Sequence, residues 1–138
     1  MLIGLGQDLQ HTGELLRARS LATPEVFFTA GESAHVAASA DAGATASGIF
    51  CAKEALFKAL AGQHVGFWTD IEVVHTPAPS FRFHGTLGTL FTERRWQAWL
   101  SITHSGEYAA AVVAIEGPER LAASPSTEST TMSTMDRP

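Results

Sequence analysis

Thr45-Ala46-Ser47-Gly48-Ile49-Phe50-Cys51-Ala52-Lys53-Glu54-Ala55-Leu56-Phe57-Lys58-Ala59-Leu60 is the stretch on which the fold turns. It is rich in Ala and Leu, which lose little freedom in a helix, and Gly62 follows as its stop signal. An apolar stripe through Ile49, Phe50, Leu56, Phe57 and Leu60 gives this helix one face to bury. Glu54 falls four residues after Phe50 and three before Phe57, on the face of both rings. A carboxylate placed there must be paired, metal-bound or protonated, because an isolated buried charge is too costly to keep. The simplest partner is Lys58 at i+4, with Glu preceding Lys in the favourable order on a solvated edge of the helix.

Upstream of this helix, Thr29 and Glu32 have the spacing of a capping box and predict a helix to about Ser39. Thr23-Pro24-Glu25 reads as an N-cap, a first-turn proline and a first-turn acid, starting a short helix before Phe27-Phe28-Thr29. Glu14 to Arg19 is also expected to be helical. Leu2-Ile3-Gly4-Leu5-Gly6 reads as a first strand that delivers Asp8 at its end. Downstream, Asp70 to His75 alternates as a strand, with Ser80 to His84 as its antiparallel partner beyond the break at Pro77 and Pro79. Leu87 to Trp96 is expected to be a helix. Trp99 to Thr103 and Tyr108 to Ile115 form a hairpin across Ser105-Gly106. The class is α+β, a mostly antiparallel sheet packed on a long central helix.

With 138 residues, 45% of them hydrophobic and 17% charged, the chain has room for a single core. Residues 1–116 are read as the folded domain. Residues 117–138 have no apolar period, and Ser and Thr supply eight of these 22 positions, so a disordered tail is expected there. No apolar run approaches the roughly 18 residues of a membrane span, and the start of the chain lacks the basic and apolar regions of a secretion signal, which points to the cytoplasm. A lone Cys51 agrees with a reducing compartment and reads as a small core residue. Nine basic residues, only Lys53 and Lys58 of them lysines, stand against 14 acidic ones for a formal net charge of −5. That balance argues against nucleic acid as a partner. Anionic substrates would have to be held by a few placed cations or a divalent metal.

Asp8, after a glycine-containing apolar strand, is either a turn residue or an acid aimed into a cleft. Gly4 and Gly6 do not complete a dinucleotide fingerprint, since position 9 is Leu. Together Asp8 and Glu54 suit a hard cation, with magnesium the usual ion where two carboxylates share coordination with substrate phosphates. Six histidines show no metal-ligand spacing on a helix turn. His104, beside the hairpin turn, reads from spacing alone as an exposed turn residue. The other five read as structural or surface groups.

Four separated blocks then align with one family. Gly4-Leu5-Gly6-Gln7-Asp8-Leu9, Phe28-Thr29 with Glu32, Phe50-Cys51-Ala52-Lys53-Glu54-Ala55-Leu56-Phe57-Lys58-Ala59-Leu60, and Ser101-Ile102-Thr103-His104 with Tyr108-Ala109-Ala110-Ala111 resemble 4′-phosphopantetheinyl transferases of the holo-acyl-carrier-protein synthase type. The resemblance implies transfer of the phosphopantetheine arm of coenzyme A to a serine of an acyl carrier protein, with release of adenosine 3′,5′-bisphosphate. It implies that Asp8 and Glu54 hold Mg2+, that Lys58 meets a phosphate, and that His104 lies near the cofactor or orients the serine. Glu54 is the expected proton acceptor. A homotrimer with active sites between subunits is a further implication. Arg17 and Arg19 are the candidate basic patch for an acidic carrier.

Departures from the family pattern accompany the match. Ile49 stands where the family often has Arg, Pro77-Ala78-Pro79-Ser80 replaces the usual Gly-x-Pro hairpin, and the tail is additional. They fit a transferase devoted to a specialised carrier, such as one in a polyketide pathway rather than fatty acid biosynthesis. The rival readings are a non-catalytic relative that only binds a carrier, and a magnesium-dependent nucleotide or coenzyme A hydrolase.

Overall fold

A ten-residue strand, β1 (Leu2–His11), opens the chain in a computed structural model that describes residues 1–18, 23–63 and 66–119. Three short helices follow: α1 (Thr12–Arg17), α2 (Pro24–Phe27) and α3 (Ala30–Ala38). The long helix α4 (Ala42–Leu60) comes next, then β2 (Ile71–Val74), β3 (Ser80–Phe83), α5 (Gly85–Arg94), β4 (Gln97–Ser105) and β5 (Tyr108–Glu116). β5 lies in the middle of an antiparallel sheet of order β1-β5-β4, and β2 and β3 form a separate antiparallel hairpin. The α+β expectation holds, with the central helix on one face of the larger sheet.

Local chemistry accounts for the helix ends. Asp41 accepts from the Ala44 amide and starts α4 one turn earlier than Thr45, while Ala61 and Gly62, both with positive φ, end it. The Thr29–Glu32 capping box is formed in both directions, with Thr29 N donating to Glu32 Oε1 at 2.9 Å and Glu32 N donating to Thr29 Oγ1 at 3.1 Å. Pro24 stands in the first turn of α2 as expected, although Thr23 makes no side-chain cap.

The first strand is corrected. It does not end at Asp8 but runs on to His11, because Leu9, Gln10 and His11 keep pairing with Ala110, Ala109 and Tyr108. Asp8 therefore sits inside a strand, opposite Ala111. Two glycines let this strand lie directly on α4: a Cβ at Gly4 would stand 2.0 Å from Ala59 O, and one at Gly6 2.0 Å from Ala55 O. Small residues on the facing elements, Ala52, Ala55 and Ala59 of α4 and Ala109 and Ala111 of β5, are all buried in the same core. Backbone thus meets backbone where larger side chains would hold strand and helix apart.

The stripe on α4 is corrected too. Ile49, Leu56 and Leu60 are fully buried and Phe50 nearly so, but Phe57 is exposed and rests near Trp68. The charge that α4 carries into the core is Lys53, and Glu54 is half-buried. No helix among the described residues is long and apolar enough to cross a membrane. Arg120 to Pro138, which make up most of the expected tail, lie outside the described residues. Gly117 lies just ahead of them and exchanges hydrogen bonds with Met1.

Candidate active site

The close approach of β1 to α4 brings Asp8 over the C-terminal half of the helix. Lys58 Nζ donates to Asp8 Oδ1 at 2.9 Å and to the Gln7 carbonyl at 3.1 Å. The Lys58 side chain is about half exposed, whereas the Asp8 side chain is 8% exposed, so the cation is free to reach outward while the acid is held. Gln10 Nε2 donates to the other Asp8 oxygen at 2.9 Å. The hydrogen bond that Lys58 donates to Asp8 is the main reason its pKa is raised, so this lysine stays charged.

Glu54 is not the ion partner of Lys58; the helical i,i+4 pair gives way to the contact across to β1. Burial raises the Glu54 pKa, the negative charge of Asp8 raises it further, and Lys58 partly offsets both. Glu54 thus feels the field of Asp8. Two carboxylates alone are a sparse ligand set, and no group of three or more His, Cys, Asp or Glu side chains that could hold a metal occurs among the described residues. Oxygen-only donors that leave most positions open fit Mg2+, which keeps waters and takes substrate phosphates.

Asp8 and Lys58 border a cleft of about 570 Å³ that opens onto the outer face of the β1-β5-β4 sheet, where Gln7, Leu9, Thr103 and Val112 line it. His104 is not in that cleft. It lines a separate groove with His35, His75 and Pro79, and its Nε2 lies 3.0 Å from the Ala44 carbonyl oxygen. Gly48 makes room for the ring, since a Cβ there would come 3.1 Å from His104 Nε2. Within one chain, Asp8 and Lys58 share the cleft, Glu54 lies close enough to feel the charge of both without lining it, and His104 stands apart. Ile49 lies at 0% exposure in the core, so α4 offers no cation at that position. Arg17 is exposed in the last turn of α1, and Arg19 lies outside the described residues. Cys51 is buried, donates its thiol to the Ala109 carbonyl, and is pushed up to about 12, mainly by burial, which makes it inert.

Sequence reasoning missed the second charged pair of the Lys-Glu-Ala block. Lys53 and Glu32 form an ion pair at 2.6 Å with neither side chain exposed. Lys53 Nζ also donates to the carbonyls of Phe27 and Trp68, and Glu32 Oε2 accepts from the Val73 amide at 2.8 Å. Burial lowers the Lys53 pKa, and Glu32 opposes that shift. The pair ties α3, α4 and β2 together. The signal for it was the capping-box glutamate, a charge in a helix start next to apolar Phe27 and Phe28, whose Oε1 takes both the Thr29 amide and Lys53 while Oε2 takes the Val73 amide.

The profile of the 4′-phosphopantetheinyl transferase superfamily matches residues 4–113. The chain belongs to that superfamily. Among curated members of the superfamily, it is 37% identical over 124 residues to a holo-[acyl-carrier-protein] synthase of Syntrophotalea carbinolica, an alignment covering 84% of this chain and 97% of the relative. It is 33% identical over 134 residues to the Deinococcus radiodurans protein of the same name, covering 89% and 99%. The fold agrees with the crystal structure of the Neisseria meningitidis holo-[acyl-carrier-protein] synthase at a TM-score of 0.76, covering 84% of this chain and 99% of that one at 22% identity. A Bacillus anthracis holo-(acyl-carrier-protein) synthase in complex with CoA (3′,5′-ADP) superposes at 0.69 with 26% identity, covering 86% and 99%.

Proposed function

We propose that this protein transfers the 4′-phosphopantetheine arm of coenzyme A to a serine hydroxyl of an acyl carrier protein, releasing adenosine 3′,5′-bisphosphate. Superfamily membership and near full-length relatives named holo-[acyl-carrier-protein] synthase support the reaction. The observation that carries it is the convergence of Asp8, Glu54 and Lys58 across the β1–α4 contact.

In this reading Asp8 and Glu54 would hold Mg2+ against the diphosphate of coenzyme A. When bound, the ion supplies Lewis-acid neutralisation of charge on the phosphate oxygens. Lys58, exposed and held charged by Asp8, adds a second positive charge at a phosphate oxygen. The serine oxygen forms a bond to the phosphorus that carries the pantetheine arm, the diphosphate P–O bond breaks, and adenosine 3′,5′-bisphosphate leaves with the electron pair. Glu54 takes the serine proton, a role suited to a glutamate whose pKa burial has raised. Such transfers depend mainly on alignment and charge neutralisation, so three side chains and an ion suffice in a net-negative protein.

The working unit in this proposal is a homotrimer in the cytoplasm. The outer face of the larger sheet carries Leu5, Leu9, Trp99, Tyr108 and Val112, all exposed and without a covering element among the described residues. The Asp8 cleft opens on that same face. A second copy seated there would cover it and bring its own His104 groove to the cleft, which accounts for the separation of His104 from Asp8 within one subunit. Arg17, next in sequence to the strand that holds Asp8, would meet the acidic carrier, with Arg19 beside it in sequence.

Intact-protein mass spectrometry of a panel of apo carriers, incubated with the protein, coenzyme A and Mg2+, tests the reading. A carrier should gain the mass of the pantetheine arm. Binding without mass gain across the panel would replace it with the non-catalytic relative, and release of adenosine bisphosphate without a carrier would replace it with a hydrolase.

A further inference from the structure

Gln10 has no part in the reaction described so far, yet it holds one oxygen of Asp8, its Nε2 donating to Oδ2 at 2.9 Å. Residues two apart on a strand share a face, so this contact exists because β1 runs on past Asp8 to His11. The register partners of Gln10 and Asp8 are Ala109 and Ala111, both buried, which puts the amide and the acid on the side of the sheet that meets α4. A polar side chain on that face costs free energy unless it is hydrogen-bonded. Asp8 supplies the acceptor.

The two oxygens of Asp8 are held by very different groups. Oδ1 accepts from Lys58, a half-exposed side chain that the transferase reading sends to a phosphate. Oδ2 accepts from Gln10, a partly buried residue of the same strand. Cys51 is close by, but its single thiol proton goes to the Ala109 carbonyl at 3.3 Å. The torsion that turns an aspartate carboxylate has broad wells, so one bond to a long, half-exposed lysine does not fix it. When Lys58 turns to a phosphate, the bond from Gln10 is the one that need not break.

Residue type agrees with that task. An ionised carboxylate only accepts, so the NH2 end of the glutamine faces it. An apolar residue at position 10 would leave Oδ2 without this donor. A lysine or arginine there would bring a second cation against Asp8 and oppose a divalent ion at the same acid. Glutamine donates without adding charge.

We propose that Gln10 is a positioning residue for Asp8: by holding Oδ2 it keeps the carboxylate in one orientation, and so sets how tightly Asp8 and Glu54 hold a divalent ion. This inference rests on the transferase reading, which assigns Mg2+ to those two acids. Gln10 acts only through Asp8 and touches no reacting atom.

Mn2+, a paramagnetic substitute for Mg2+, gives a readout that does not depend on turnover. The full chain is titrated with Mn2+ at saturating coenzyme A without a carrier, and the Kd is read from the electron paramagnetic resonance signal of the free ion. Gln10→Met, similar in length but without a donor, should raise that Kd about tenfold, the scale for losing a group that orients a metal ligand. Its affinity for coenzyme A without metal should be unchanged. In the transfer assay the same variant should need about tenfold more Mg2+ for half-maximal rate and approach the parent kcat at saturating Mg2+. General damage to the site would instead lower kcat at every Mg2+ concentration. Should Gln10→Met fail to fold, Gln10→Val, which suits a strand and also lacks a donor, gives the same comparison.

An unchanged Mn2+ affinity, or a loss of rate that no Mg2+ concentration restores, overturns the inference. So does a parent protein that binds no Mn2+. A carrier that still gains mass from coenzyme A in any of these cases leaves the transferase reading standing. Weakened Mn2+ binding in the variant, with no carrier in the panel modified, keeps the positioning role and removes the transferase reading.

Discussion

Helix α4 presents two lysines to two carboxylates with opposite outcomes. Lys53 and Glu32 are sealed in the core at 0% exposure, and Lys58 and Asp8 sit at the mouth of a cleft with the lysine half exposed. The lysines stand five positions apart, which places them on different sides of a helix with 3.6 residues per turn. In the sealed pair, Glu32 is also bonded by the Thr29 and Val73 amides and Lys53 by the Phe27 and Trp68 carbonyls. Every one of those partners is protein, so the pair can only hold the fold together. In the open pair, Lys58 stays half exposed with one donor uncommitted, and Asp8 lies close enough to Glu54 to perturb it. The difference teaches that charge type did not separate structure from chemistry on this helix; access to solvent did.

The sharpest way to break this comparison is to neutralise the open side. Glu54→Gln or Asp8→Asn should lower the transfer rate by about 10²- to 10³-fold, the scale for losing one charge-stabilising group, while denaturant midpoints change little. Retained transfer with lost stability would invert the assignment. Neutralising the sealed side should do the reverse. Lys53→Met leaves Glu32 buried without its cation and should cost about 3–5 kcal/mol in urea unfolding. A cost below about 1 kcal/mol would show that the pair is not structural.

Placing a charge on the bare sheet face comes next in size. Val112→Asp should convert the proposed trimer to monomers by light scattering and remove transfer with it. The pH dependence of stability then separates the carboxylates. Burial raises the folded-state pKa of Glu54, so its favourable contribution is present below the ordinary glutamate value of 4.5 and is lost as pH rises through the raised value. The Thr29 hydroxyl, and after burial opposes it the His84 and Arg82 contacts, lower that of Glu72, so its contribution is present above 4.5 and is lost as pH falls through the lowered value. Urea titrations should accordingly show Glu54→Gln gaining stability relative to the parent as pH rises above 4.5, and Glu72→Gln losing its relative deficit in acid. The smallest effect is expected from Arg17→Glu, a few-fold rise in KM for an acidic carrier with kcat nearly unchanged, as for a charge at the rim of an interface.

Much of the scaffold was legible from local chemistry. Gly62 after an Ala- and Leu-rich run, the Thr29–Glu32 box and the Ser105-Gly106 turn are short-range signals, and the corresponding helices and hairpin formed within a few residues of their expected ends. Asp8, Glu54, Lys58 and His104 were singled out as candidates through spacing combined with resemblance. What escaped notice was whatever depended on a distant partner. Pairing with β5 extends β1 to His11, Phe57 is turned outward beside Trp68, and Lys53 is turned inward to Glu32. His35 and His75, whose rings stack, are separated by 40 positions, and no periodicity links them.

By itself, then, the order of residues determined where helices start and stop and which segments alternate as strands, because those properties depend on neighbours a few residues away. Tertiary structure alone decided which lysine is entombed and which is free, that Asp8 meets Lys58 and feels Glu54, and that His104 keeps company with His35 and His75. Those outcomes depend on how closely β1 lies on α4, an approach set by Gly4, Gly6 and the alanines facing them, and burial is a property of the assembled packing.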